Sequence, residues 1–145
     1  WFTSGGASLG WALGAGVGVR LAAPERTVVA LVGDGTFMFG CPTAALWTAA
    51  AHNAPFLTII LNNQMHFATK RSWLMHYPHG HAKQLDRFVG TDLQPSPDFA
   101  HLARACHAYG KTVTNPKELP DALQRALEAV RGGRAAVLDV RIQRP

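Results

Sequence analysis

Cysteine is scarce in this sequence: Cys41 and Cys106 are the only two in 145 residues, and they form no CxxC pair. Two distant thiols exclude a disulfide-stapled scaffold and a zinc site built on cysteine pairs, and they fit a reducing compartment, so a cytoplasmic location is expected. Charged residues are also few, at 16%, while hydrophobic residues make up 48%. That balance excludes a disordered chain and leaves enough apolar material for one core, so the 145 residues are read as one domain. Long apolar runs are missing. The most apolar helical stretch, residues 9–21, is too short and too rich in glycine for a bilayer, so no membrane partner is expected. There is no internal repeat and no low-complexity tract; no signal peptide is visible, but Trp1 reads as the middle of a gene product, so that says little, and the chain is expected to be a fragment of a longer polypeptide.

What is present begins with a modest basic excess, a formal net charge of +5. The lysines and arginines are spread thinly. The densest pair, Lys70-Arg71, lies near Trp73 and Tyr77, a combination that can stack on single strands, but a solvated surface accounts for it and no nucleic-acid partner is expected.

The pattern along the chain is that of an α/β protein. Residues 5–22, rich in glycine and alanine, predict a helix that approaches its neighbours closely and depends on tertiary packing. Residues 27–32, TVVALV, form a β-branched run that suits a strand covered on both faces. A helix is expected from Pro42-Thr43 to about residue 53, with proline in its first turn, and a second buried strand over 56–63. Strand, helix and strand within about thirty residues make a right-handed parallel βαβ unit. Residues 64–95 are polar, aromatic and rich in histidine, and read mainly as a long functional loop with a short helix near 81–88. A helix over 98–109 capped by Ser96, a short edge strand over 111–115, an amphipathic helix over 116–130 stopped by Gly132-Gly133, and a last buried strand over 135–142 complete the chain. The expectation is a doubly wound, mostly parallel sheet of about five or six strands with helices on both faces.

Two predicted strand ends are unusually polar. One carries Gly33-Asp34-Gly35-Thr36 and the other Asn62-Asn63-Gln64. Ligands of open parallel sheets bind beyond the carboxyl ends of the strands. If these two strands are neighbours, Asp34 and Asn62 or Asn63 converge. A carboxylate with an amide oxygen is a hard, all-oxygen set that suits Mg²⁺ or Ca²⁺, with further ligands from phosphate and water. Gly33 and Gly35 let the backbone approach an anion, Thr36 adds a hydroxyl, and the start of the following helix presents its positive end. The site therefore asks for a diphosphate bridged to a divalent cation.

Gly33-Asp34-Gly35, then twenty-six residues (36–61), then Asn62-Asn63 resembles the thiamine-diphosphate signature. The flanks WFTSGGASLGWALGAGVGVRLAAPERTVVALVGDG, ALWTAA and VLDVRI resemble the acetolactate synthase and benzoylformate decarboxylase branch of that family, and the resemblance covers nearly the whole chain. It implies the thiamine-diphosphate-binding fold, with residues 1–145 as the C-terminal domain that holds the diphosphate and Mg²⁺. By position, Asp34 and Asn63 would bind Mg²⁺ through their side chains and Met65 through its carbonyl. Gly33, Gly35 and Thr36 would hold the diphosphate. Leu9 would wedge beneath the cofactor, and the Ala7 carbonyl would accept a hydrogen bond from its aminopyrimidine. The implied activity is decarboxylation or carboligation of small-molecule 2-oxo acids. The activating glutamate would come from a separate domain of a partner subunit, so the intact protein would be a homodimer or homotetramer and these residues alone inactive. FAD in the full-length enzyme is a further possibility that the resemblance raises.

Other readings remain beside this one. Thiamine diphosphate could be bound without turnover by a regulatory homologue. A Rossmann-like nucleotide module also puts glycines at a βα turn, but GDGTFMFG does not match GxGxxG. His66, His76, His79 and His81 could gather a metal, although no cysteine or acid stands at zinc-like spacing; a substrate-facing role for one of them suits the loop better. Cys41, Trp11 and Trp47 are expected to be packed core residues.

Overall fold

The computed structural model describes residues 1–6 and 8–144. In chain order its elements are α1 (Trp11–Ala22), β1 (Val29–Gly33), α2 (Asp34–Phe39), α3 (Pro42–Ala51), β2 (Leu57–Asn62), α4 (Phe67–His76), α5 (His81–Gln84), α6 (Phe99–Ala105), β3 (Tyr109–Val113), α7 (Leu119–Arg131) and β4 (Ala136–Arg141). The described strands form one sheet in the order β1-β2-β4-β3, parallel throughout. It has four strands among the described residues, where five or six were expected. The α/β class and the helices on both faces stand.

Strand β4 comes last in the chain but lies between β2 and β3. Its Ala136, Val137 and Leu138 are accordingly fully buried, the place where a continuous apolar run belongs. On one face, Leu13 and Val17 of α1, Leu46 of α3 and Phe99 of α6 pack with Phe37, Phe56, Ile60 and Val137. On the other, Ala122, Ala126 and Val130 of α7 lie on Leu57, Val113 and Leu138. Each of these α7 residues follows the last by four, so one stripe of the helix meets the sheet.

Four expectations from the sequence are corrected. Strand β1 is an edge, and its residues alternate: Ala30 and Val32 are buried, while Val29 and Leu31 are about half exposed. The TVVALV run is therefore covered on one face only. The long loop contains a ten-residue helix, α4, but neither α4 nor α5 has a buried residue; without an apolar stripe, the sequence carried no helical signal there. Asp98, not Ser96, caps α6, its Oδ1 accepting from the His101 N–H at 2.7 Å. Trp11, Trp47 and Cys41 are exposed rather than core, because Leu13 and Leu46 already take the inward positions of α1 and α3.

Helix α1 begins six residues later than expected. Gly10 has φ +87°, and a Cβ there would lie 2.6 Å from the Phe39 carbonyl oxygen. A residue that is both left-handed and pressed against backbone must be glycine, and the helix can start only after it. The same contact ties the start of α1 to the end of α2, at the carboxyl end of β1.

A candidate cation and diphosphate site at the strand ends

Strands β1 and β2 are direct neighbours, with Gly33 registered on Leu61. The next residues along each are Asp34 and Asn62, so the two polar strand ends lie side by side. Asp34 opens α2 and is buried. Its Oδ1 accepts from the Gly35 N–H at 3.0 Å, while its Oδ2 is buried and accepts no hydrogen bond. A buried carboxylate oxygen without a donor is costly unless a cation or a proton meets it.

The two asparagines are separated in role. Asn62 is buried, and both of its amide hydrogens are engaged: Nδ2 donates to Asp139 Oδ1 at 2.7 Å and to Ser96 Oγ at 3.3 Å, while Oδ1 accepts one bond, from the Gln64 N–H at 3.1 Å. Asn63 is only partly buried, and its Oδ1 accepts one bond, from the Met65 N–H at 3.2 Å. Each amide oxygen thus accepts one bond and keeps a second lone-pair direction, and of the two residues Asn63 is the less buried. The tandem turns also explain Gln64, which sits at φ +59°.

Met65 has a buried side chain and pairs with Asp92 in an isolated antiparallel bridge. The bonds of that bridge run from His66 N–H to the Thr91 carbonyl, 2.8 Å, and from Leu93 N–H to the Gln64 carbonyl, 3.0 Å. They flank Met65 and leave its own carbonyl out of the pairing. Gly35 is buried, and a Cβ on it would collide with the imidazole of His66, so any side chain there would require that ring to move. His66 also meets Phe39 edge-on, with centroids 6.1 Å apart. Thr36 is partly buried one residue further along α2. Leu9 is about half exposed beside Gly10, at the end of the molecule that carries Asp34. Ala7 lies outside the described residues.

The histidines do not gather. His66 packs on Gly35, whereas a ring nitrogen of His76 bonds the Ser72 carbonyl on its own helix. Among the described residues no three of His, Cys, Asp and Glu converge on one point. A cation at Asp34 would therefore draw on one carboxylate, with amide, carbonyl and phosphate oxygens for the rest. That is a fit for Mg²⁺, which keeps few protein ligands and prefers oxygen.

Beneath the loop, Asp139 is fully buried on β4. Its Oδ2 lies 3.1 Å from Arg141 Nη2, an ion pair whose angle falls outside that of a hydrogen bond. Burial holds the Asp139 carboxyl above the usual value of 3.8, against the opposing pull of the Asn62 hydrogen bond and of the Arg141 charge. An open cleft of about 590 Å³ beside it is lined by Gln64, Gln94, Pro95, Ser96 and Arg141. Nothing in the sequence singled out Asp139. An aspartate inside the apolar run AAVLDVRI was the one available signal.

A parallel sheet with an acid and an amide at neighbouring strand ends defines the class: an α/β domain with a polar candidate ligand site beyond the carboxyl ends of its strands. The family model for the C-terminal TPP-binding domain of thiamine pyrophosphate enzymes matches residues 1–140, and the chain belongs to that family. It is 35% identical over 143 residues to the acetolactate synthase isozyme 3 large subunit of Escherichia coli, covering 98% of this chain and 23% of that protein. It is 31% identical over 134 residues to a sulfoacetaldehyde acetyltransferase of Rhodobacter capsulatus, covering 92% of this chain and 21% of the relative. Among solved structures it resembles the thiamine diphosphate-dependent 4-hydroxybenzoylformate decarboxylase of Rhodococcus jostii, with a TM-score of 0.76 and 32% identity over 96% of this chain and 24% of that one. The chain thus spans about a quarter of the length of the proteins it matches.

Proposed function

We propose that this chain supplies the diphosphate and Mg²⁺ site of a thiamine-diphosphate-dependent decarboxylase or carboligase acting on 2-oxo acids. The observation that carries the reading is the buried, donorless Oδ2 of Asp34 next to the strand end that presents Asn63. Asp34 and Asn63 side-chain oxygens and the Met65 carbonyl would hold the cation. Backbone at Gly33 and Gly35, with the Thr36 hydroxyl, would hold the diphosphate. Leu9, half exposed at the same end, would support the cofactor from below, and Ala7 would accept from it.

The chemistry supplied by bound thiamine diphosphate is nucleophilic addition to a 2-oxo acid with loss of carbon dioxide. The part assigned to this chain is binding and orientation. Asp34 turns a repulsive acid into an anchor once a cation lies between it and the phosphate, and the buried setting strengthens that attraction. The glutamate that activates the cofactor would belong to another domain. Glu25 pairs with Arg26, Glu118 pairs with Lys111 at the opposite edge of the sheet, and Glu128 accepts from Gln124 on α7.

Calorimetric titration with thiamine diphosphate and Mg²⁺ tests the reading. The unmodified protein should bind, and binding should be lost when Mg²⁺ is chelated. Asp34→Ala should abolish the metal-dependent binding while leaving the far-ultraviolet circular dichroism unchanged. Undiminished affinity in Asp34→Ala would refute the assignment.

A further inference from the structure

Asn62 can be placed two ways round, and the two are not equivalent. As observed, Nδ2 faces Asp139 and Ser96 while Oδ1 faces the Gln64 N–H. Rotated by half a turn, Nδ2 would confront the Gln64 donor, and Oδ1 would confront a carboxylate that can only accept. Asp139 and the Gln64 N–H therefore together fix which way the amide points, and Asp139 is the partner that holds its nitrogen end. That orientation closes the Asn62–Gln64 turn, in which Gln64 takes φ +59°. The turn in its place directs Asn63, whose Oδ1 then receives the Met65 N–H. Asp139 is itself held by Arg141 at 3.1 Å and is fully buried, so it is a fixed post. It lies 77 residues from Asn62 in sequence and reaches it only because β2 and β4 are adjacent, with Ile60 registered on Asp139.

We propose that Asp139 is a positioning residue for the cation loop: its carboxylate sets the Asn62 amide, and through it the placement of the Asn63 oxygen and the Met65 carbonyl. The inference rests on the metal–diphosphate reading above and extends it to residues that do not touch the ligand. Outer partners that orient metal ligands characteristically change metal affinity 10- to 100-fold when removed.

The test uses the full-length protein with Mn²⁺ in place of Mg²⁺ and thiamine diphosphate present, read by calorimetry and by the electron paramagnetic resonance spectrum of the bound ion. Asp139→Leu should weaken Mn²⁺ binding roughly 10- to 100-fold and alter the spectrum. Asp139→Asn keeps an acceptor oxygen toward Asn62 and should recover most of the affinity and the parental spectrum. Arg141→Met removes the charge partner but not the Asn62 bond; it should lower thermal stability with the spectrum unchanged. A folded Asp139→Leu protein with parental affinity and spectrum overturns the proposal. Should that variant not fold, Asn62→Ala takes its place, since it removes the link between Asp139 and the turn; parental behaviour there overturns the proposal equally. Absence of Mn²⁺ binding in the unmodified protein would remove the underlying metal reading instead, and is distinguished by occurring before any substitution.

Discussion

The arrangement at Asp34 is decided by a few atoms. One oxygen is satisfied by the neighbouring Gly35 N–H and the other is buried without a donor, which is the observation behind the proposed cation role. Gly35 carries a second constraint, since any side chain there meets His66. Gly35→Ala should therefore push the His66 ring aside, destabilising the protein by no more than about 1 kcal/mol because the ring is the free end of a side chain, and weaken thiamine diphosphate binding. The pair Gly35→Ala with His66→Ala should regain much of the stability in a chemical denaturation series. Asp139 yields a pH prediction. Its folded carboxyl is held above the ordinary value of 3.8, mainly by burial, so the native state binds its proton more tightly than the unfolded chain. The resulting stability is fully present below the ordinary value and is lost as pH rises through the raised one. Asp139→Asn should flatten that part of the stability curve, measured by urea unfolding across the acid range. Of these residues Asp34, Gly35 and Asn63 were legible in the sequence, because their signal is a motif at fixed spacing. Asp139 was not, because its partner lies 77 positions away and only strand pairing joins them.

At the scale of elements, the βαβ unit, the amphipathic helix α7 and the buried strand β4 follow from apolar periodicity. Leu138 is fully buried between β2 and β3 and beneath α7, so Leu138→Ala should cost about 2–5 kcal/mol, read as a lowered denaturation midpoint. Periodicity failed where burial was one-sided or absent. The β1 run looked covered on both faces, yet Val29 and Leu31 stand open at the sheet edge. Helix α4 buries nothing, and so had no stripe to recognise. The loop that contains it is instead tied down at its base by the Met65–Asp92 bridge.

For the whole molecule, the sheet order β1-β2-β4-β3 brings the two polar strand ends side by side and sets Asp139 beneath them. The described glutamates are engaged elsewhere, and the chain covers about a quarter of its relatives' length. The isolated 145-residue domain should accordingly release no carbon dioxide from a 2-oxo acid supplied with Mg²⁺ and thiamine diphosphate, as followed by a coupled bicarbonate assay; turnover by the domain alone would show that no outside glutamate is needed. By itself, the amino-acid order determined the α/β class and the acid-and-amide motif. Both are local: an apolar period, a glycine turn and a fixed spacing act within a few residues or along one βαβ unit. Tertiary structure alone decided which asparagine is tied to Asp139, which strand is an edge, and what supports the loop from below. Those outcomes depend on contacts between residues far apart in the chain, and such contacts exist only once the sheet is assembled.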